Sequence, residues 1–146
     1  MFQSYQFSLI ICRNPKTMKF LAINETKNRG WWIPGGAVDA GETFKKAAHR
    51  ECIEEAGVKI DLKGILAIDH FLTGADEVKM RVIFYAEPVD HDVIPKQVAD
   101  SESLEARWVT LEEFENLDKI RGGELLEFGS YLEKNGTIHP MSLLNE

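Results

Sequence analysis

The hydrophobic positions of this chain change period several times along its length. Tyr5, Phe7, Leu9 and Ile11 alternate with Gln6, Ser8, Ile10 and Cys12. Such alternation gives a strand one apolar and one mixed face, so a first strand central in a sheet is predicted. Asn14-Pro15-Lys16 reads as a turn, Phe20-Leu21-Ala22-Ile23 as a second strand, and Asn28-Arg29-Gly30 as a turn before Trp31-Trp32-Ile33. From Thr43 to Ala56 the period lengthens to that of a helix. It offers Phe44, Ala47, Ala48, Cys52 and Ile53 to the core and ends at Gly57, placed for a left-handed carboxyl-terminal cap. Gly64 to Leu72 and Lys79 to Ala86 return to a strand period around the turn Thr73-Gly74-Ala75-Asp76, as in a meander. The polar, acidic stretch from Pro88 to Glu105 contains Pro95 and is expected to form a long exposed loop. A short strand, Arg107-Trp108-Val109, follows it. Thr110-Leu111-Glu112-Glu113 has the form of a capping box opening a second helix, and Glu124 to Lys134 suggests a third that ends near Gly136.

No repeat, low-complexity tract or linker interrupts this pattern, and 146 residues with 44% hydrophobic content suit one domain spanning 1–146. A formal charge of -7 and a pI near 5.2 argue against broad docking on nucleic acid or acidic lipid, which needs clustered Lys and Arg. Neither a stable nucleic acid partner nor a membrane is therefore expected. Cys12 and Cys52 are too few and too far apart for a disulfide framework or a thiolate zinc site, and read as small buried hydrophobes. The first residues lack a positive region followed by an apolar stretch, and no run reaches the length that spans a bilayer, so the expected location is cytoplasmic.

The strongest signal lies between Gly36 and Val58. Gly36, Glu42, Arg50, Glu51, Glu54, Glu55 and Gly57 follow the spacing G-x5-E-x7-R-E-U-x-E-E-x-G-U, with U a bulky apolar residue. Seven fixed matches arise by chance in a chain this long about once in a million or less. On a helix Glu51, Glu54 and Glu55 stand at i, i+3 and i+4, so their carboxylates converge on one side. Taken alone, a glutamate triplet is most often a solvated helix face, and lone glycines are ordinary turn residues. Their joint spacing reverses those odds. Convergent carboxylates are costly unless divalent cations neutralise them, and hard oxygen ligands without His or Cys suit Mg²⁺ or Mn²⁺. Such a metal can bridge a pyrophosphate, withdraw charge from phosphorus and acidify the attacking water, which is a hydrolase mechanism. Pro34-Gly35-Gly36 and Gly41 let the backbone turn tightly and approach a ligand. Arg50, beside Glu51 and one turn from Glu54, can orient a carboxylate or contact phosphate, and the orienting role is favoured.

At these residues the sequence resembles the Nudix hydrolases, which cleave a nucleoside diphosphate linked to another moiety using Mg²⁺ or Mn²⁺. The one departure is Cys52, where the family usually has Leu, Ile or Val. The resemblance extends to Trp31-Trp32-Ile33-Pro34-Gly35-Gly36 and to Ala106 through Glu113. It implies an α/β fold, an α/β/α sandwich with a mixed β-sheet between helices. It also implies Glu51, Glu54 and Glu55 as metal ligands, the backbone of Gly35 or Gly36 as a further oxygen donor, and Arg50 as orienting partner. A loop acid often completes such a site as ligand or base; Glu102 is the first candidate, Glu105 the second and Asp100 the third. Similar enzymes are frequently homodimers, which here would need an apolar patch outside the motif.

The substrate is less legible. Trp31 and Trp32 face opposite ways in a strand, so one can belong to the core while the other, with Trp32 the candidate, stacks on a base. Gly35 and Tyr85 are further substrate-site candidates, and Phe71 and His70 can border the same pocket. The chain lacks the downstream signature shared by NADH-cleaving members and any coenzyme A motif. The proline of many ADP-ribose hydrolases would fall near Leu72 or Thr73, and the tyrosine of dinucleoside polyphosphate enzymes is absent there too. What remains is hydrolysis of a nucleoside di- or triphosphate, oxidised ones included, to the monophosphate. The alternatives are the same chemistry on ADP-ribose, a dinucleoside polyphosphate or a nucleotide sugar, and a sensor domain that binds nucleotide without cleaving it. Lysines and arginines are dispersed along the chain, which argues against a highly charged substrate such as an inositol polyphosphate.

Overall fold

The computed structural model describes residues 2–146. Strand β1, Gln3–Cys12, starts exposed and is buried on both faces from Ser8 onward. Ile10 and Cys12 enter one core, Leu9 and Ile11 another. A strand apolar on both faces belongs inside a sheet. Accordingly β1 lies between β4, Gly35–Ala37, and β6, Glu77–Pro88, which runs parallel to it. The four-stranded sheet, in the order β4-β1-β6-β5, is completed by β5, Ile60–Gly74, antiparallel to β6. A second, antiparallel sheet has the order β3-β2-β7, with β2 at Phe20–Glu25, β3 at Gly30–Trp32 and β7 at Glu105–Val109.

Helices cover both sides. On one, α1, Phe44–Ala56, contributes Ala48, Cys52 and Ala56 to a buried cluster with Ile10, Leu21 and Phe84. On the other, α2, Leu111–Glu115, and α3, Glu124–Glu133, bring Phe114 and Leu125 into a cluster with Leu9, Ile33 and Ile83. The layers are α/β/α with parallel and antiparallel pairing, as expected, although the strands divide between two sheets.

Local punctuation sets the helix ends. The Thr43 side chain accepts from the Lys46 amide at 3.1 Å and Gly57 takes the left-handed conformation (φ +66°) that closes α1. The box at α2 is complete, Glu113 N donating to Thr110 Oγ1 and Thr110 N to the Glu113 carboxylate. The Glu146 carboxylate also accepts from the Phe44 and Lys45 amides, at 2.7 and 3.1 Å, placing a negative charge at the start of α1. No described helix is long and apolar enough to cross a membrane.

Three readings of the sequence need correction. Gly35–Ala37, expected as a turn, is a strand, because its backbone pairs with Leu9, Ser8 and Phe7 and that pairing overrides weak local propensity. The β5–β6 hairpin is longer at both ends than Gly64 to Leu72 and Lys79 to Ala86. Register shifts at Leu62/Gly64, Ile65/Ala67 and Leu72/Gly74 break the alternation that would have shown it. Ile53, expected in the core, is 46% exposed on the outer side of α1.

Candidate active site

The glycines of β4 and the glutamates of α1 meet face to face. Gly35 N donates to Glu55 Oε1 at 2.8 Å. Gly35 itself (φ +154°) lies so close to β1 that a Cβ would fall 2.5 Å from Ser8 O, and a Cβ on Gly36 would fall 2.5 Å from Glu51 Oε1. Glycine at 35 lets β4 lie against β1, and glycine at 36 leaves room for the Glu51 carboxylate. Glu51 and Glu55 are both buried. Burial pushes the Glu55 carboxyl up to about 9; the Gly35 amide opposes this, while the neighbouring Glu51 and Glu25 carboxylates add to it. Burial likewise raises Glu51, against the pull of Arg50.

Arg50 joins the rest of the motif. Its Nη1 donates to Glu51 Oε1 at 3.0 Å and to Glu54 Oε2 at 3.1 Å, and Nε and Nη2 grip both oxygens of Glu42. Nη2 also reaches Ala37 O at 3.0 Å, tying the helix to β4. Arg50 Nη1 bridges Glu51 and Glu54, and among the described residues no three acidic, histidine or cysteine side chains are drawn together around one point.

The loop after β6 is fastened to the end of α1. Lys96 N donates to Ala56 O at 2.8 Å, Lys96 Nζ to Glu54 O, and Ser103 Oγ to Glu55 O. Three carbonyls left open at the helix end are thereby satisfied from one loop. The stretch expected to be wholly exposed therefore has buried anchors at Pro95 and Ser103. The same fastening sorts the three candidate loop acids. Asp100 is committed to Lys96, whose hydrogen bonds, with those from the Glu102 and Ser103 amides, hold its carboxyl down at about 2. Glu105 pairs with Arg107 at 2.6 Å. Among the described residues Glu102 has no ion-pair partner, and it lines the cleft beside Gly35, Gly36 and Glu55.

That cleft, of about 390 Å³, lies within the range of small-ligand sites. Trp32 forms part of its wall while Trp31 is buried beneath the Arg107 guanidinium, 4.8 Å from the ring centre. Trp32 is held on two sides: Nε1 donates to Glu124 Oε1 at 2.7 Å, and the Arg121 guanidinium lies 4.3 Å over the ring. Tyr85 is placed elsewhere, buried with its hydroxyl donating to Glu87, and neither it nor the exposed His70 and Phe71 lines the cleft. Tyr85 shares a face of β6 with Lys79 and Arg81 but lies further along the strand, where it packs in the cluster with Leu9, Ile83 and Phe114. The cations differ most from expectation. Lys27, Arg29, Lys79, Arg81 and Arg121, five of the chain's 17 lysines and arginines, line this one cleft. Dispersal along the chain is not dispersal in space, since the β2–β3 hairpin and β6 bring them together. The only trace in sequence was the pair Lys27 and Arg29 flanking a turn, and Lys79 and Arg81 two apart on one strand face.

A NUDIX domain model matches residues 5–127. Nudix hydrolase 6 of Arabidopsis thaliana is 34% identical over 122 residues, covering 79% of this chain and 42% of that protein. The 8-oxo-dGDP phosphatase NUDT18 of Mus musculus is 37% identical over 91 residues, covering 60% of this chain and 27% of that protein. The chain thus spans less than half the length of these curated relatives. A solved NUDIX hydrolase from Nitrosomonas europaea superposes with a TM-score of 0.73 at 20% identity, covering 98% of this chain and 97% of that one. With the motif residues assembled on α1 and β4 and the family model matching most of the sequence, the chain belongs to the Nudix family.

Proposed function

We propose that the chain carries a pyrophosphohydrolase activity that uses Mg²⁺ or Mn²⁺ to convert a nucleoside di- or triphosphate to the monophosphate. The observation that carries this reading is the pair of buried carboxylates, Glu51 and Glu55, packed against glycine backbone in a cleft of ligand size. The donor set fits the metal. Its side chains are all carboxylates, two of them raised in pKa by burial, an arrangement that a divalent cation relieves. In this reading Glu51, Glu54 and Glu55 ligate through carboxylate oxygens and the Gly36 carbonyl adds a further oxygen. The bound ion supplies positive charge at the diphosphate and acidifies the attacking water. Arg50 holds Glu51 and Glu54 in orientation, Glu102 accepts the proton of the water from the loop side, and Trp32 stacks on the base.

Turnover is tested by phosphate and pyrophosphate release, with and without Mg²⁺, across nucleoside di- and triphosphates, oxidised nucleotides, ADP-ribose, dinucleoside polyphosphates and nucleotide sugars. Metal-dependent release of a nucleoside monophosphate is the expected result. Silence across the panel with nucleotide binding retained would instead establish a sensor. Within the panel, oxidised guanine nucleotides are a second reading, favoured by the similarity to the 8-oxo-dGDP phosphatases.

The glycine contact gives a sharper expectation. Gly36→Ala drives a methyl group into the Glu51 carboxylate. Displacing a reactive group by about 1 Å costs on the order of 100-fold in rate. A fall of that size in kcat/KM with a folded protein by circular dichroism is expected, and wild-type kcat/KM would remove the Glu51 carboxylate from the site.

A further inference from the structure

The five cations of the cleft are not alike. Arg81 is neutralised by Asp69 and Glu124, and Arg121 by the buried Glu25. Among the described residues Lys27, Arg29 and Lys79 form no ion pair. In a chain with 24 acidic residues against 17 basic ones, cations gain by pairing, yet these three stand unpaired in the same concavity. They come from opposite walls. Lys79 belongs to β6 in the four-stranded sheet and lies 4.9 Å over the Phe7 ring. Lys27 and Arg29 sit on the turn that joins β2 to β3 in the other sheet. That turn has a set shape: Lys27 and Asn28 are both left-handed (φ +59° and +55°), Arg29 N donates to Thr26 O, and Gly30 (φ +97°) returns the chain. The turn and Trp32 line the same cleft as Gly35, Gly36 and Glu55.

A metal ion at Glu51, Glu54 and Glu55 already answers the charge of a diphosphate, which leaves these cations unused. We propose that Lys27, Arg29 and Lys79 form a second phosphate subsite, for a phosphoryl group additional to the diphosphate held at the carboxylates. The inference rests on the pyrophosphohydrolase reading and narrows it to substrates with at least three phosphoryl groups. The third is either contiguous, as in a nucleoside triphosphate, or separate, on the sugar of a nucleoside diphosphate derivative.

The test is kcat/KM with Mg²⁺ for two matched pairs, GTP against GDP and the 2′-phosphate of ADP-ribose against ADP-ribose. Charge-assisted hydrogen bonds to one further phosphate correspond to a preference of about tenfold or more in one pair, and the pair that shows it identifies the source. In Lys27→Gln/Arg29→Gln the preference is expected to collapse to within about threefold, and Lys27→Arg/Arg29→Lys to restore it. No preference in either pair, or a preference that survives the glutamine variant, overturns the subsite. If none of the four compounds is turned over, that result bears on the catalytic reading, which the wider substrate panel decides, and not on the subsite. Equilibrium binding of the same compounds then decides the subsite, which is overturned if the additional phosphate leaves affinity unchanged.

Discussion

Glu54→Gln is expected to lower kcat by about 1,000-fold or more while leaving the fold intact, if Glu54 is a metal ligand. The substitution keeps the side-chain length, and the amide oxygen still accepts from Arg50, which donates to Glu54 Oε2 at 3.1 Å. What is lost is the negative charge, so the change falls on cation affinity rather than on packing. Glu54 suits this experiment better than its neighbours because it is only half-buried, whereas Glu51 and Glu55 sit against the glycine backbone and their substitution also alters the core. Nucleotide affinity of the metal-free protein, measured by calorimetry, should stay within about threefold of wild type, since the cations of the cleft are untouched. Turnover within tenfold of wild type would remove Glu54 from the ligand set.

The metal-free protein is expected to lose stability as pH rises between about 5 and 9. Glu55 titrates near its ordinary value in the unfolded chain and at about 9 in the folded one, so over this window the folded state binds more protons. Stability then falls with rising pH, by up to about 1.4 kcal/mol per pH unit for a fully shifted carboxyl. In a chelator, Tm should fall by several degrees between pH 6 and 8.5, on the usual scale of about 2–4 °C per kcal/mol for domains of this size. Added Mg²⁺ should restore it, and increasingly so at higher pH, because the ion takes the ionised form. Glu55→Gln should flatten the slope in chelator. A Tm in chelator that is level or rises across the window, with no difference between wild type and Glu55→Gln, would show that Glu55 is ionised without metal.

Helices and their ends were the legible part of the fold, because capping is local chemistry. Thr43, Gly57 and the Thr110/Glu113 box each act on a backbone group within a few residues. The strand at Gly35–Ala37 was illegible for the opposite reason: its hydrogen bonds go to β1, nearly thirty residues away, and its residues have turn propensities. The motif side chains could be read from spacing on one helix. Trp32 could be separated from Trp31 by strand alternation. The basic walls of the cleft could not, since Lys27 and Lys79 are distant in sequence and meet only once the two sheets are packed. Glu102 was ranked ahead of Glu105 and Asp100 by its place in the loop alone, since no motif separates three acids in one stretch. Their partners Arg107 and Lys96 make the distinction, and those are tertiary facts.

The fastening of the loop at Lys96 and Ser103 divides the stretch from Val89 to Leu104 into two mechanical regimes. Between Val89 and Ile94 the chain is tied to other parts of the fold: Val89 N donates to Lys59 O, His91 O accepts from Asn14 Nδ2, Asp92 pairs with Lys16, and Val93 O accepts from Trp108 Nε1. Between Lys96 and Ser103 both ends are pinned to three consecutive carbonyls in the last turn of α1, so the span is a fixed bracket carrying Glu102. Any change in its length shifts that acid relative to Glu54 and Glu55. The loop thus behaves as two clamped spans in series, the first tied to the strands and turns around it and the second tied to α1, and only the second carries Glu102.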